Sequence, residues 1–264
     1  MQLRKQSEHL CVQFIHDRAC QHIHQRISGK SSAFGIGSEG LCASFSRFNS
    51  SNRRENITDF ALKSFQDHYQ DPSISKWDIF HYVYALLHPP QYRAKFADNL
   101  KRSLPRIPFA PTKPHADTPT PRHSDTSAFR LFAATGRQLA DLHLNYESLD
   151  PHPLQYLTSP KIPLSYRVEK MKLSKDKTRL IVNPSLTLAP IPPEVFTYRL
   201  GNRSALDWII DQYQVSTDKR SNITSDPNRP DDDQYIVRLA AQIIHLSLQT
   251  MKIVNSLPPL FPSK

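Results

Sequence analysis

An α+β domain, dominated by helices and carrying a small antiparallel sheet or β-hairpin, is the fold this sequence predicts. Three observations point to it. From Asn56 onward apolar residues recur at helical spacing in one segment after another. Residues 166–183 instead alternate in the manner of strands around a polar turn. Proline pairs and acidic or serine residues punctuate the helical segments as stops and caps.

Residues 1–55 hold Cys11, Cys20 and Cys42, the glycines Gly29, Gly35, Gly37 and Gly40, and a histidine-rich opening. Hydrophobic periodicity is poor there, so irregular structure is expected. The first helix runs from Ile57 to Tyr69, with Ile57, Phe60, Ala61, Ser64 and Phe65 along one side. Asp71-Pro72 ends it. Ser75, three residues before Asp78, then predicts a capped helix to about His88. Its Trp77, Ile79, Phe80, Val83, Tyr84, Leu86 and Leu87 cover more than one face, the mark of a core helix. Pro89-Pro90 starts a third helix, with Tyr92, Phe96, Leu100 and Leu104 as the buried stripe.

Prolines 105, 108, 111, 114, 119 and 121 exclude helix and central strand from residues 105–123, leaving an extended loop or linker. A helix from Ser127 to Asn145 follows, with Phe129, Phe132, Leu139 and Leu142 apolar. Segment 166–183, YRVEKMKLSKDKTRLIVN, predicts a hairpin turning at Ser174-Lys175-Asp176-Lys177. Helix returns at Ala205 to Tyr213 behind Ser204 as cap. The last helix spans about Asp233 to Asn255, with Asp231 to Asp233 complementing its positive end, and Pro258-Pro259 stops it.

At 264 residues the chain can bury a core as one large domain or two small ones. Its formal net charge is +10, from 34 Lys and Arg against 24 Asp and Glu, which favours a polyanion, nucleic acid before anionic membrane. No run of about 18 apolar residues is present, and the first residues lack a signal-peptide core, so a cytoplasmic protein is expected. An odd cysteine count at one end is not a disulfide framework.

Several motifs imitate catalysis and fail on inspection. Gly29-Lys30-Ser31 resembles the end of a phosphate loop, but His24 stands where the first glycine is needed. Gly35-Ile36-Gly37-Ser38-Glu39-Gly40 fits a dinucleotide fingerprint without its strand and helix. Cys11, His16, Cys20, His22 and His24 match no tetrahedral zinc spacing. No carboxylate is followed two residues later by lysine, as a metal-dependent nuclease site needs. The Pro-Pro pairs at 89–90, 192–193 and 258–259 lack the context of an adenine-methylating element. No catalytic or metal residue is assigned.

Charge concentrates in three places instead. Arg167, Lys170, Lys172, Lys175, Lys177 and Arg179 crowd the predicted hairpin, and a cationic two-stranded ribbon fits a DNA major groove. A solvated edge hairpin whose lysines prevent aggregation explains the same residues. Lys219, Arg220 and Asn222 lie in a polar loop that could enter a groove. Arg199 and Arg203 flank Gly201-Asn202 just before a helix, where amides could donate to phosphate. Alternatively Arg199 or Arg203 pairs with Asp207 or Asp211.

The strings at 57–109, 136–147, 166–183 and 198–232 (among them ITDFALKSFQDHYQDPSISKWDIFHYVYALLHPPQYRAKFADNLKRSLPRIPF and YRLGNRSALDWIIDQYQVSTDKRSNITSDPNRPDD) resemble the C-terminal specificity domain of Type I single-polypeptide (Type ISP) restriction–modification enzymes. The resemblance covers about residues 53–260, with 56–260 as the target-recognition domain; residues 1–50 and the loop at 111–127 depart from it. Such enzymes join a nuclease, a translocating ATPase, a coupler and an adenine methyltransferase to target recognition in one polypeptide. The resemblance implies a recogniser of double-stranded DNA without the catalytic domains, to which S-adenosylmethionine, ATP and magnesium would belong. It also implies a methyltransferase domain or subunit as partner. The Cys, His and Ser content of residues 1–50 suggests a frameshifted or mis-started reading of a truncated gene. A helical protein-interaction module and a non-functional remnant are the competing expectations.

Overall fold

The computed structural model describes residues 57–102, 105–110 and 126–261. It is α+β and helix-rich, as the sequence predicts. The span expected as one domain contains two compact units, one running to Leu144 and resuming at Ile253, the other Asn145–Lys252.

The first unit is helical. Helix α1 (Asp59–Tyr69) begins where the Thr58 hydroxyl accepts from the Ala61 amide at 3.2 Å, and ends at Gln70 in the left-handed region. Ile57, Ala61, Phe65 and Tyr69 are buried, whereas Phe60, expected on that stripe, is 65% exposed. Helix α2 (Lys76–Leu86) starts with the predicted capping box: Asp78 N–H donates to the Ser75 hydroxyl while Ser75 N–H donates to the Asp78 carboxylate. Ile79, Phe80, Tyr82, Val83, Ala85 and Leu86 are buried, but Trp77 in the first turn is 48% exposed. The predicted third helix is broken in two, α3 (Pro90–Lys95) and α4 (Ala97–Arg102), at Phe96 (φ −107°, ψ 17°).

Helix α5 (Ser127–Leu144) lies directly against α2. A Cβ built on Gly136 would stand 1.8 Å from the His81 carbonyl oxygen, so only glycine permits this approach. Arg130 of α5 clasps the loop between α1 and α2 through Asp71 at 2.7 Å and Asp78 at 3.4 Å. Hydrogen bonds from Ser73 and Arg130 hold the Asp71 carboxyl down at about 2.

The proline-rich strand of chain at residues 105–110 is pinned by tyrosines on three helices. Tyr92 Oη donates to the Arg106 carbonyl at 2.5 Å, Tyr82 Oη donates to Pro108 at 2.6 Å, and Tyr69 Oη accepts from the Ala110 amide at 2.8 Å. The contacts fall on every second residue, as an extended backbone requires. Proline cannot donate to a sheet, so side-chain hydroxyls from below satisfy this segment instead. The rest of the segment, 111–125, lies outside the described residues.

The second unit carries the sheet. Strands β1 (Gln155–Thr158), β2 (Lys172–Leu173), β3 (Leu180–Asn183) and β4 (Leu186–Ala189) form an antiparallel sheet in the order β1-β4-β3-β2. The predicted hairpin is its β2–β3 edge, with Leu173 opposite Leu180 and Lys172 opposite Ile181. Leu180 and Val182 of β3 and Leu186 and Leu188 of β4 are buried, while Ile181 looks outward. β1 and β4 were not predicted.

Two-residue strands β5 (Arg199–Leu200) and β6 (Arg203–Ser204) form a hairpin around Gly201 at φ 68° and lead into helix α6 (Ala205–Gln212). Positive φ at the first loop position is what such a turn demands of glycine. Strands β7 (Ser216–Thr217) and β8 (Thr224–Ser225) make a third ribbon. Helix α7 (Tyr235–Asn255) is buried on almost every side, with Ile236, Val237, Leu239, Ala240, Ala241, Gln242, Ile243, Ile244, Leu246 and Ser247 all inside. Its buried polar groups are satisfied: Gln242 donates to the Glu147 and Leu149 carbonyls at 2.7 and 2.9 Å, and Ser247 to Ile243 at 2.7 Å. Tyr146 and Tyr235 hydroxyls both donate to the Glu147 carboxylate, at 2.8 and 3.0 Å.

Gly136→Ala drives a methyl group into backbone that cannot rotate away, so urea unfolding of the variant should show a loss of about 3 kcal/mol. Tyr82→Phe strands the Pro108 carbonyl and should lose about 1–3 kcal/mol. Burial pushes the Tyr69 and Tyr92 hydroxyls up to about 12 from 10.0. Because the protonated form is the one held, their contribution is complete below pH 10 and disappears as pH rises from 10 toward 12. Melting temperature followed over that interval should fall in the wild type, and fall less in a Tyr69→Phe, Tyr92→Phe variant.

Candidate nucleic-acid interface

The turn joining β2 to β3 is built around Asp176. Its carboxylate accepts from the Ser174 hydroxyl at 2.5 Å, the Thr178 amide at 3.2 Å and the Thr178 hydroxyl at 2.8 Å. These donors, Ser174 first, hold its carboxyl at about 2. Lys177 takes the left-handed conformation at φ 59°, its amide donating to the Ser174 carbonyl at 2.9 Å. The acid is thus the framework of the turn, and Lys175, Lys177 and Arg179 project from it, all exposed. Lys177 Nζ lies 5.2 Å from the Phe196 ring centre.

The loop joining β7 to β8 repeats that logic. Asp218 Oδ1 accepts from the Arg220 and Ser221 amides at 2.7 and 3.0 Å, and the Asn222 amide donates to the Asp218 carbonyl at 2.8 Å. Backbone amides, Ser221 first, lower the Asp218 carboxyl from its usual value. Asn222 sits at φ 56°, and Lys219, Arg220 and Asn222 are exposed.

The segments that flank these two hairpins are tied together at their bases. The Asn228 side chain accepts from the Val168 amide at 2.8 Å and donates to the Val168 carbonyl at 2.7 Å, as a neighbouring strand would. The Val215 amide donates to Glu169 at 2.8 Å. Arg167 reaches Asp226 at 2.7 Å and Glu169 at 3.5 Å. Among the described residues, Lys170, Lys172, Lys175, Lys177, Arg179, Lys219 and Arg220 meet no carboxylate; Arg167 is the one hairpin cation that does.

The third cationic element is assembled differently. Ser204 Oγ accepts from the Asp207 amide at 3.1 Å and Asp207 accepts from the Ser204 amide at 3.2 Å, closing a capping box on α6. Arg203 pairs with Asp211 at 2.9 Å and lies 5.1 Å from the Trp208 ring. Arg199 donates across the turn to the Asn202 carbonyl. The helix start therefore already holds a carboxylate where phosphate would bind, and the alternative of an Arg203–Asp211 pair is the one observed.

Asp226, Asn228 and the exposed Ile223 were not singled out from sequence. Arg167 and Asp226 stand 59 residues apart, a separation no local pattern spans. The Cys and His positions from 11 to 24, Gly29-Lys30-Ser31 and the 35–40 loop lie outside the described residues. Among the described residues no three His, Cys, Asp or Glu side chains converge, and no helix is long and apolar enough to cross a membrane.

The Type ISP C-terminal specificity domain family model matches residues 6–239. No curated protein matches. Among solved structures, the ATP-dependent Type ISP restriction–modification enzyme LlaBIII bound to DNA is 33% identical with a TM-score of 0.66, covering 83% of this chain and 13% of that one. A nuclease-deletion mutant of the Type ISP enzyme LlaGI, in complex with a DNA substrate mimic, is 35% identical with a TM-score of 0.61, over 80% of this chain and 15% of that one. The DrdV–DNA complex is 36% identical with a TM-score of 0.65, over 80% of this chain and 21% of that one. This chain thus spans between 13% and 21% of the length of those proteins. With the match over 6–239, it belongs to the Type ISP C-terminal specificity domain family.

Proposed function

We propose that this chain is the target-recognition module of a Type ISP restriction–modification system, reading a specific sequence in double-stranded DNA. One observation carries the reading: two cationic hairpins, each closed on its own aspartate and tied together at their bases by Asn228, present seven basic side chains that meet no carboxylate among the described residues. Unpaired cations on a stiff frame suit phosphate and base edges, because they bring their charge undiminished and their geometry preset. The relatives' solved DNA complexes agree with that use.

Lys170, Lys172, Lys175, Lys177 and Lys219 are assigned to phosphate contacts, and Arg179, Arg220 and Asn222 to base edges. Arg167 holds the frame, and Arg199 and Arg203 contribute charge at its flank. Methyl transfer and cleavage are left to a methyltransferase domain or subunit and its companions, which would bring S-adenosylmethionine, ATP and magnesium. The module would work in the cytoplasm, beside the DNA.

Selection of bound duplexes from a random library at physiological salt tests this, with and without a methyltransferase partner. A single enriched sequence is expected. Lys172→Ala and Lys175→Ala should weaken binding on every duplex alike and lower the salt slope by about 0.9 per phosphate lost. Arg179→Ala or Arg220→Ala should lose about 1–3 kcal/mol at one base pair and relax selection there. Salt-dependent binding with no preferred sequence would defeat the proposal.

A further inference from the structure

Ile223 is the most exposed large apolar side chain among the described residues, at 69%. It sits in the loop between β7 and β8, with Lys219, Arg220 and Asn222 just before it. Its backbone is fully engaged: its carbonyl accepts from the Asp218 amide at 3.0 Å and its amide donates to the Ser221 hydroxyl at 3.4 Å. The Thr217 and Thr224 hydroxyls, 2.9 Å apart, tie the two strands beneath it.

A β-branched side chain on so constrained a loop has little rotamer freedom to lose on contact. It adds nothing to the core, yet it stands in the middle of a cationic tip. On the reading above, that tip is a two-stranded ribbon approaching a duplex. Such a ribbon fits the major groove, and there the apolar group that base edges present is the C5-methyl of thymine. The minor groove offers none.

We propose that Ile223 packs on the C5-methyl group of a thymine in the recognised duplex and so helps set the target sequence. The contact rests on the DNA-reading function and adds an apolar term to the hydrogen bonds of its neighbours. It distinguishes an A·T pair from a T·A pair at one position, which phosphate contacts cannot do.

The test uses the full chain and the duplex enriched from the random library. Each thymine is replaced in turn by uracil, which lacks only the methyl group. Wild type should bind about fourfold more weakly at one uracil. Ile223→Ala should bind the thymine duplex about fourfold more weakly and lose nothing further with uracil, while its circular dichroism melt stays that of wild type. An Ile223→Ala chain with wild-type affinity and an unchanged uracil profile overturns the proposal. So does 2-aminopurine beside the site brightening with wild type but not with the variant while every uracil is silent, because that reports a wedge between bases. A wild-type chain that selects no duplex sinks the DNA-reading itself. One that selects a duplex but ignores every uracil sinks the methyl contact alone.

Discussion

Asn228 is the constraint on which the cationic surface depends. Its amide replaces one rung of a β-ladder, giving Val168 both an acceptor and a donor. It fixes a segment sixty residues downstream beside the chain that enters the β2–β3 hairpin. Arg167 and Asp226 close the same junction with charge, but both are largely exposed and such pairs are worth little by themselves. The neutral amide, part-buried and doubly bonded, is the stronger tie. Two hairpins that share no sheet are thereby joined at their bases.

The helical unit relies on closeness instead. Gly136 lets α5 settle onto the backbone of α2, and Tyr69, Tyr82 and Tyr92 raise their hydroxyls from that packed layer to a proline-bearing segment. Tyr69 and Tyr82 bury their rings among Phe65, Phe109, Phe129 and Phe132, Tyr92 packs on Phe96, and each keeps its polar end satisfied. The segment has no strand partner and needs none.

Much of this was legible in sequence because local rules write it there. Ser75 with Asp78, and Ser204 by itself, marked helix starts, and Pro89-Pro90 and Pro258-Pro259 marked ends. The β2–β3 turn was readable from its polar tetrapeptide. Strand β1 was not, because all four of its residues are exposed and leave no alternation to detect. β4 is four residues long, too short for a period to show. No proline or glycine announces the break at Phe96. Trp77 and Phe60 carry the hydrophobicity of core residues while standing in solvent, which periodicity cannot reveal. The candidate site followed the same division. Its cations were found by their density in the chain, whereas Asn228 and Asp226, which assemble them, act across some sixty residues.

Asp176 and Asp218 separate shape from message. Each carboxylate binds groups of its own turn, backbone amides in both and hydroxyls as well at Asp176, so the path of the chain is settled within the turn. The side chains at 175, 179, 219, 220 and 223 are exposed and take no part in that closure, whatever their backbones do. They are therefore open to exchange: a new set of side chains there leaves the mould intact. On the proposed DNA-reading function, a lineage under pressure to change its target would need only single substitutions at those positions, without first having to rescue a damaged fold.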